Sequence, residues 1–150
     1  MQVKDAMTQD VETASPTQTI RQAALLMAKL DAGALPVADK DHLVGMITDR
    51  DIAVRAIASG KGPKTTVREV MSAEVKYCFE DEDLEHVAKN MAEIKVRRLP
   101  VMNREKRLVG ILSLGDVALA NGPDPAGTAL CGISEPGGEH SQATNGAATK

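Results

Sequence analysis

The sequence predicts an α+β fold of two stacked repeats, each a small mixed three-stranded sheet covered by two helices. Three observations predict it. A block of about sixty residues occurs twice. Each copy carries an apolar stripe at helical spacing, and each then has two aliphatic segments joined by a charged turn.

The repeat is read directly. "VKDAM" at Val3–Met7 returns as "VREVM" at Val67–Met71, 64 positions later. "LPV" at Leu35–Val37 returns at Leu99–Val101 with the same offset. "LVGMITDRDIA" from Leu43 returns as "LVGILSLGDVA" from Leu108 at an offset of 65. The second copy has therefore gained one residue in its turn, "NREKR" against "DKDH". Three matches in one order mark a tandem duplication: residues 1–62 are the first repeat, 63–121 the second, and 122–150 a tail.

Each copy has the same grammar. A short turn or helix carries "VKDAM" or "VREVM". A short extended piece follows, near Val11 to Ala14 and Val75 to Phe79. Then Ile20, Ala23, Ala24, Met27 and Leu30 recur at helical spacing, matched by Leu84, Val87, Ala88, Met91 and Ile94. Thr19 with Gln22 is a capping box for the first helix, and Asp83 an N-cap for the second. Two strands come next in each copy, "ALPVADKDHLVGMIT" and "RLPVMNREKRLVGILS", each pair folding on a polar turn. A closing helix runs from about Asp49 to Ser59 and from about Leu114 to Asn121. The order is β-α-β-β-α. One such unit buries too little surface alone, so two are expected to share their stability.

The tail holds half of the chain's 12 glycines and three of its 7 prolines. It reads as flexible, with "ALCGI" at Ala129–Ile133 its one apolar patch.

Composition narrows the function. The chain has 150 residues and a formal charge of −3, and its pI is near 5.6. That balance argues against nucleic acid as the main partner, because phosphates need a basic face. No apolar run reaches the roughly 20 residues that span a bilayer. "MQVKDAMTQD" carries no apolar signal core, so secretion is not expected. Cys78 and Cys131 lie far apart without a Cys-x-x-Cys spacing, which suits a reducing cytoplasm. Aromatic residues are 1%, Tyr77 and Phe79 alone, so a flat ligand must lie between aliphatic side chains. The methionines fall mostly on apolar faces and read as core.

Thr48 and Asp51, with Ser113 and Asp116, have the spacing of a helix capping box. Each pair also follows a strand and opens a helix, where free N–H groups and the helix dipole favour an anion. A carboxylate one turn in can accept ribose hydroxyls. Gly45 and Gly110 permit close packing beside them. Spacing alone leaves cap and ligand both open. Arg50 and Arg55 flank Asp51. Arg97 and Arg98 precede the second "LPV", where a phosphate or carboxylate would explain two adjacent cations. Gly33 and Ala34 stand there in the first copy, so the two sites should differ in charge. His42, His86 and His140 share no metal-like spacing, and no metal is expected. Neither a Ser-His-Asp nor a Cys-His set is visible, nor a Gly-rich phosphate loop or a catalytic carboxylate pair, so no catalytic residue is assigned.

The ordered set V-x-x-x-M, apolar helix, "LPV" and "LVG" followed by two apolar residues and [TS]-x-x-D, present twice, resembles the cystathionine β-synthase (CBS) domain. It resembles it as a tandem pair, or Bateman module, of the small stand-alone bacterial type. The resemblance covers about Val3 to Asn121. It implies an adenosine-containing ligand (AMP, ADP, ATP, NAD or S-adenosylmethionine) in a cleft between repeats, with no obligatory cofactor. By resemblance, Asp51 and Asp116 hold ribose hydroxyls, Thr48 and Ser113 contact ribose or phosphate, and Arg97 and Arg98 meet phosphates. Adenine would lie near Thr13 and Ala14, or near Tyr77 and Cys78. Gly33 and Ala34 depart from the basic pair. The family also implies a homodimer.

The resulting expectation is a cytoplasmic, non-enzymatic energy or redox sensor that binds an adenine nucleotide and regulates an unidentified protein. The alternative is a ligand-independent interaction or dimerisation module acting on a partner enzyme or transcription factor.

Overall fold

The computed structural model describes residues 1–135, which fall into two compact units. The first unit takes Asp10–Tyr77 and Arg104–Leu108. The second takes Met1–Gln9, Cys78–Asn103 and the described residues from Val109 onward.

In the first unit, Thr19 caps α1 (Ile20–Leu30) through the reciprocal box with Gln22: the Gln22 amide reaches Thr19 Oγ1 at 3.1 Å, and the Thr19 amide reaches Gln22 Oε1 at 2.9 Å. The helix ends at Asp31 in the left-handed region, φ 52°. Strand β1 (Ala34–Asp39) pairs antiparallel with β2 (His42–Thr48), with an irregularity between Val37 and Ala38. Lys40 and Asp41 both have positive φ, the geometry of a tight two-residue hairpin turn. Ala14 adds a single parallel bridge to Val37, so the expected third strand is one residue long here. The closing helix is a π-helical turn, Asp51–Ile57, wider than the α-helix the sequence suggests. The unit ends with α2 (Val67–Val70). Ile20, Ala23, Met27, Leu35, Val37, Ile47, Val67 and Val70 form the core, whereas Ala24 and Leu30 of the expected stripe lie exposed.

The second unit repeats this plan. A 3-10 turn at Val3–Asp5 comes first. Then follow β3 (Cys78–Phe79), α3 (Leu84–Ile94), β4 (Arg98–Met102), β5 (Leu108–Ser113) and α4 (Leu114–Asn121). Asp83 caps α3 through the His86 amide at 3.1 Å. The sheet order is β3-β4-β5, with β3 parallel to β4, so the mixed three-stranded sheet is complete in this unit. The core is Val3, Cys78, Leu84, Val87, Met91, Leu99, Val101, Leu112 and Val117.

The packing units cut across the repeats. Val3 of "VKDAM" is fully buried against residues of the second repeat, while Val67 and Val70 of "VREVM" are buried against the first. Two backbone bonds fix each exchange. Thr8 and Ile111 trade amide bonds of 2.9 and 3.0 Å, and so do Met46 and Ser72, at 3.0 and 2.9 Å.

The expected flexible tail is corrected over its first half. Pro123–Ser134 form α5, with proline in the first turn, where its missing N–H costs nothing. Ala126 and Ala129 are buried. A Cβ added at Gly132 would stand 2.6 Å from the Ala92 Cβ, so only glycine lets α5 lie this close to α3. Glycine and alanine here serve close helix packing rather than disorder. The rest of the tail, with His140, lies outside the described residues.

Candidate functional site

The same local device forms at the end of β2 and of β5. In the first unit, the Thr48 amide donates to Asp51 Oδ2 at 2.9 Å and the Asp51 amide donates to Thr48 Oγ1 at 3.0 Å. In the second, the Ser113 amide donates to Asp116 Oδ2 at 3.0 Å and the Asp116 amide to Ser113 Oγ at 3.0 Å. Both pairs are therefore complete capping boxes. A box engages only one oxygen of each carboxylate.

What lies beside the other oxygen differs. Asp51 Oδ1 faces the Arg55 guanidinium at 4.0 Å, and that guanidinium also donates to the Met71 carbonyl at 3.3 Å. The Asp51 side chain is only 16% exposed. Among the described residues, Asp116 Oδ1 accepts no hydrogen bond. The Thr8 hydroxyl stands 3.5 Å from Asp116 Oδ2, at the outer limit of a hydrogen bond.

The arginine pair belongs to the second device. The Leu114 amide donates to the Arg97 carbonyl at 2.8 Å, which fixes the start of β4 beside the first turn of α4. Arg97 and Arg98 are both exposed. Two cations, a hydroxyl, a half-engaged carboxylate and a helix N-terminus are thus gathered in one unit. In the first unit the matching bond runs from the Asp49 amide to the Gly33 carbonyl at 2.9 Å. There the Asp49 carboxylate stands over Gly33, with Oδ2 at 2.9 Å from where a Cβ would be. An acid replaces the base, and the expected difference in charge between the two sites is present locally. Arg50 is exposed, with its amide on Asp49 Oδ1 at 2.8 Å.

Thr13 is half-buried, but Ala14 is fully buried. The Ala14 amide donates to the Pro36 carbonyl at 2.9 Å, and its carbonyl accepts from the Ala38 amide at 2.9 Å. The Ala14 side chain is a core group. Tyr77, one residue before β3, is 49% exposed, and Cys78 next to it is buried. Burial, with Glu82 adding repulsion, pushes the Cys78 thiol up to about 12.

Thr8 was not legible as a site residue. A signal exists: a hydroxyl follows the motif methionine in both copies, "VKDAMT" and "VREVMS". Its meaning appears only when the motif packs on the other repeat's strand. There Gly110 sits with Met7 Sδ and the Thr8 carbonyl both 2.7 Å from a notional Cβ, and Gly45 sits likewise against Met71 and Ser72.

Among the described residues, no group of three His, Cys, Asp or Glu side chains could hold a metal ion. No helix among them is long and apolar enough to cross a membrane.

The sequence model of the CBS domain matches residues 3–57 and 67–121. The chain is 46% identical over 133 residues to the CBS domain-containing protein YhcV of Bacillus subtilis, covering 88% of this chain and 94% of that one. Among solved structures, Hypoxic Response Protein I with two coordinated zinc ions superposes with a TM-score of 0.73 at 35% identity, covering 80% of this chain and 98% of that one. The CBS domain pair of protein MJ0100, in complex with 5′-methylthioadenosine and S-adenosylmethionine, gives 0.71 at 34% identity, over 79% of this chain and 94% of that one. CBSX2 in complex with AMP gives 0.70 at 28% identity, again over 79% and 94%. With both repeats matched in order and a relative similar along nearly its whole length, the chain belongs to the CBS domain family as a tandem pair.

Proposed function

We propose that this chain is a regulatory module that binds an adenosine-containing ligand and has no catalytic activity of its own. The observation that carries the reading is the second unit's device: Asp116 keeps one oxygen outside its capping box, and Arg97 is tied to the same helix start. Asp116 Oδ1 would accept ribose hydroxyls, Ser113 would meet ribose or phosphate, and Arg97 with Arg98 would meet phosphate. In the first unit, Asp51 and Thr48 would do the same for ribose, with Thr13 and Arg50 beside them. The Asp49 carboxylate there disfavours a phosphate, so a phosphorylated ligand goes to the second unit. The AMP, 5′-methylthioadenosine and S-adenosylmethionine complexes of similar CBS proteins support an adenosine ligand. Regulation follows if the ligand binds one conformation better than another. The cytoplasm, a homodimer and a regulated partner protein complete the proposal.

The test is a thermal-shift panel with AMP, ADP, ATP, NAD and S-adenosylmethionine. A ligand present at 100 times its dissociation constant stabilises by about 2.7 kcal/mol. Asp116→Asn keeps an oxygen for the Ser113 amide but removes the charge. It should weaken AMP binding by about 10–100-fold, the equivalent of a charge-assisted bond of roughly 1.5–3 kcal/mol. No shift with any of the five would favour the ligand-independent interaction module, and turnover of one of them would make the chain an enzyme.

A further inference from the structure

Helix α5 has no counterpart in the first unit, and it lies beyond the two matched repeats, which end at residue 121. Alone it would not hold. It has 12 residues, with Gly127 and Gly132 inside the helix. A helix this short is marginal in water, and each interior glycine weakens it further. Its order therefore comes from docking, and the docking is uneven. At the C-terminal end the contact is close: Gly132 lies on Ala92, and Lys95 Nζ donates to the Glu135 carbonyl at 3.1 Å. At the N-terminal end α5 stands off α3. A cavity of about 460 Å³ opens there between Asp83, His86 and Lys89 on one side and Asp124, Pro125 and Thr128 on the other.

What steadies that end is α4. Gly122, at φ 80°, is at once the C-cap of α4 and the N-cap of α5, so the two helices meet at one residue without a linker. The Gly122 amide closes α4 on the Ala118 carbonyl at 3.1 Å. In turn, α4 has Val117 as its one buried side chain and packs on α5 more than on α3. The other end of α4, 8 residues or about 12 Å away, opens on Ser113 and Asp116.

We propose that α5 is a strap on the ligand helix. Helices α4 and α5 dock and loosen together, so occupancy of the Ser113–Asp116 device and docking of α5 reinforce each other. This coupling rests on the adenosine reading of that device. A ligand held by Asp116 fixes the start of α4, and a fixed α4 presents Gly122 and the first turn of α5 in place for docking. Less freedom is then lost when α5 closes on Ala92. Linkage makes the effect reciprocal: a chain with α5 released binds the ligand more weakly by the same factor. The strap is built onto the unit whose aspartate keeps an open oxygen, whereas Asp51 in the first unit already faces Arg55. Release of α5 bares the Ala92 face of α3, so the surface of the module changes with occupancy.

The experiment is hydrogen exchange on the full chain, with and without AMP, beside calorimetric titration of AMP. In the wild type AMP should slow exchange along α5, although the ligand device lies on α4. Gly132→Leu raises helix propensity but drives a side chain into Ala92, whose Cα stands 2.9 Å from the added Cβ. It should free the α5 amides, lower protection at Val117 about tenfold, leave Val101 and Leu112 protected and weaken AMP about tenfold. Gly127→Ala, with open space around the added Cβ, strengthens α5 and should slow exchange in α5 and at Val117 by up to about fivefold. Freed α5 amides with Val117 protection and AMP affinity unchanged overturn the inference, as does AMP that binds without slowing α5. If Gly132→Leu does not fold, Gly127→Ala decides in the opposite sense, and unchanged exchange at Val117 overturns the strap. Should no nucleotide bind the wild type, the adenosine reading falls instead, and Val117 protection by itself upholds or overturns the joint docking of α4 and α5.

Discussion

Asp51 and Asp116 each have two carboxylate oxygens, and the helix cap takes one. Cap and ligand contact are therefore compatible in a single residue, which spacing could not reveal. Glycine carries the next constraint. Gly110 lies against Met7 and the Thr8 carbonyl, and the carbonyl is backbone that cannot swing away. Gly110→Ala should destabilise by about 1–3 kcal/mol, the usual cost of overpacking, read as a lower urea midpoint with an unchanged slope. The two cysteines separate by burial. Cys78 is buried and its thiol is held up to about 12, whereas Cys131 is exposed. A thiol reagent at pH 8 should titrate one thiol per native chain and both in denaturant. The raised Cys78 group favours the folded state below the unfolded thiol value. That contribution is lost as pH rises from there toward 12.

At the scale of the element, the helices follow their caps. Thr66 opens α2, and its amide and hydroxyl both donate to Glu69 Oε2, at 3.1 and 3.0 Å. Those two bonds, the backbone one first and with help from Lys61, hold the Glu69 carboxyl below its ordinary 4.5. A lowered carboxylate favours the folded state above the unfolded value and loses that contribution as pH falls through the folded one. An NMR titration should place the Glu69 midpoint below 4.5. Thr66→Val, which keeps the amide and removes the hydroxyl, should raise the midpoint without returning it fully. An unchanged midpoint would show that the hydroxyl bond does not form in solution.

At the scale of the molecule, the notable fact is the exchange of the V-x-x-x-M segments. Val3 completes the core of the second unit, with amide bonds from Val3 to the Glu82 carbonyl and from Lys4 to the Glu80 carbonyl, both 2.9 Å. Burying one valine side chain is worth roughly 1.5–3 kcal/mol. Deleting residues 1–9 should accordingly loosen the second unit, which lies far along the chain, and spare the first. Hydrogen exchange would show it: amide protection should fall at Val101 and Leu112 and persist at Val37 and Ile47. Loss confined to residues 10–62 would mean that each repeat folds on its own segment.

The sequence alone determined the duplication, both long helices with their caps, the strand pairs and the capping-box aspartates. All of these rest on interactions within a few residues, where periodicity and spacing carry the information. The difference in charge between the copies was also legible, in Arg97 and Arg98 against Gly33 and Ala34. Three things came only from tertiary structure. Ala14 proved to be core, because two bonds to β1 hold it inward. The Gly- and Ala-rich stretch after Asn121 proved to begin as a helix, because small residues suit a mobile tail and a close helix contact equally until a surface such as Ala92 is opposite. The motif methionines pack on the other repeat's glycines, because contacts some 25 to 100 residues apart leave no local period to read.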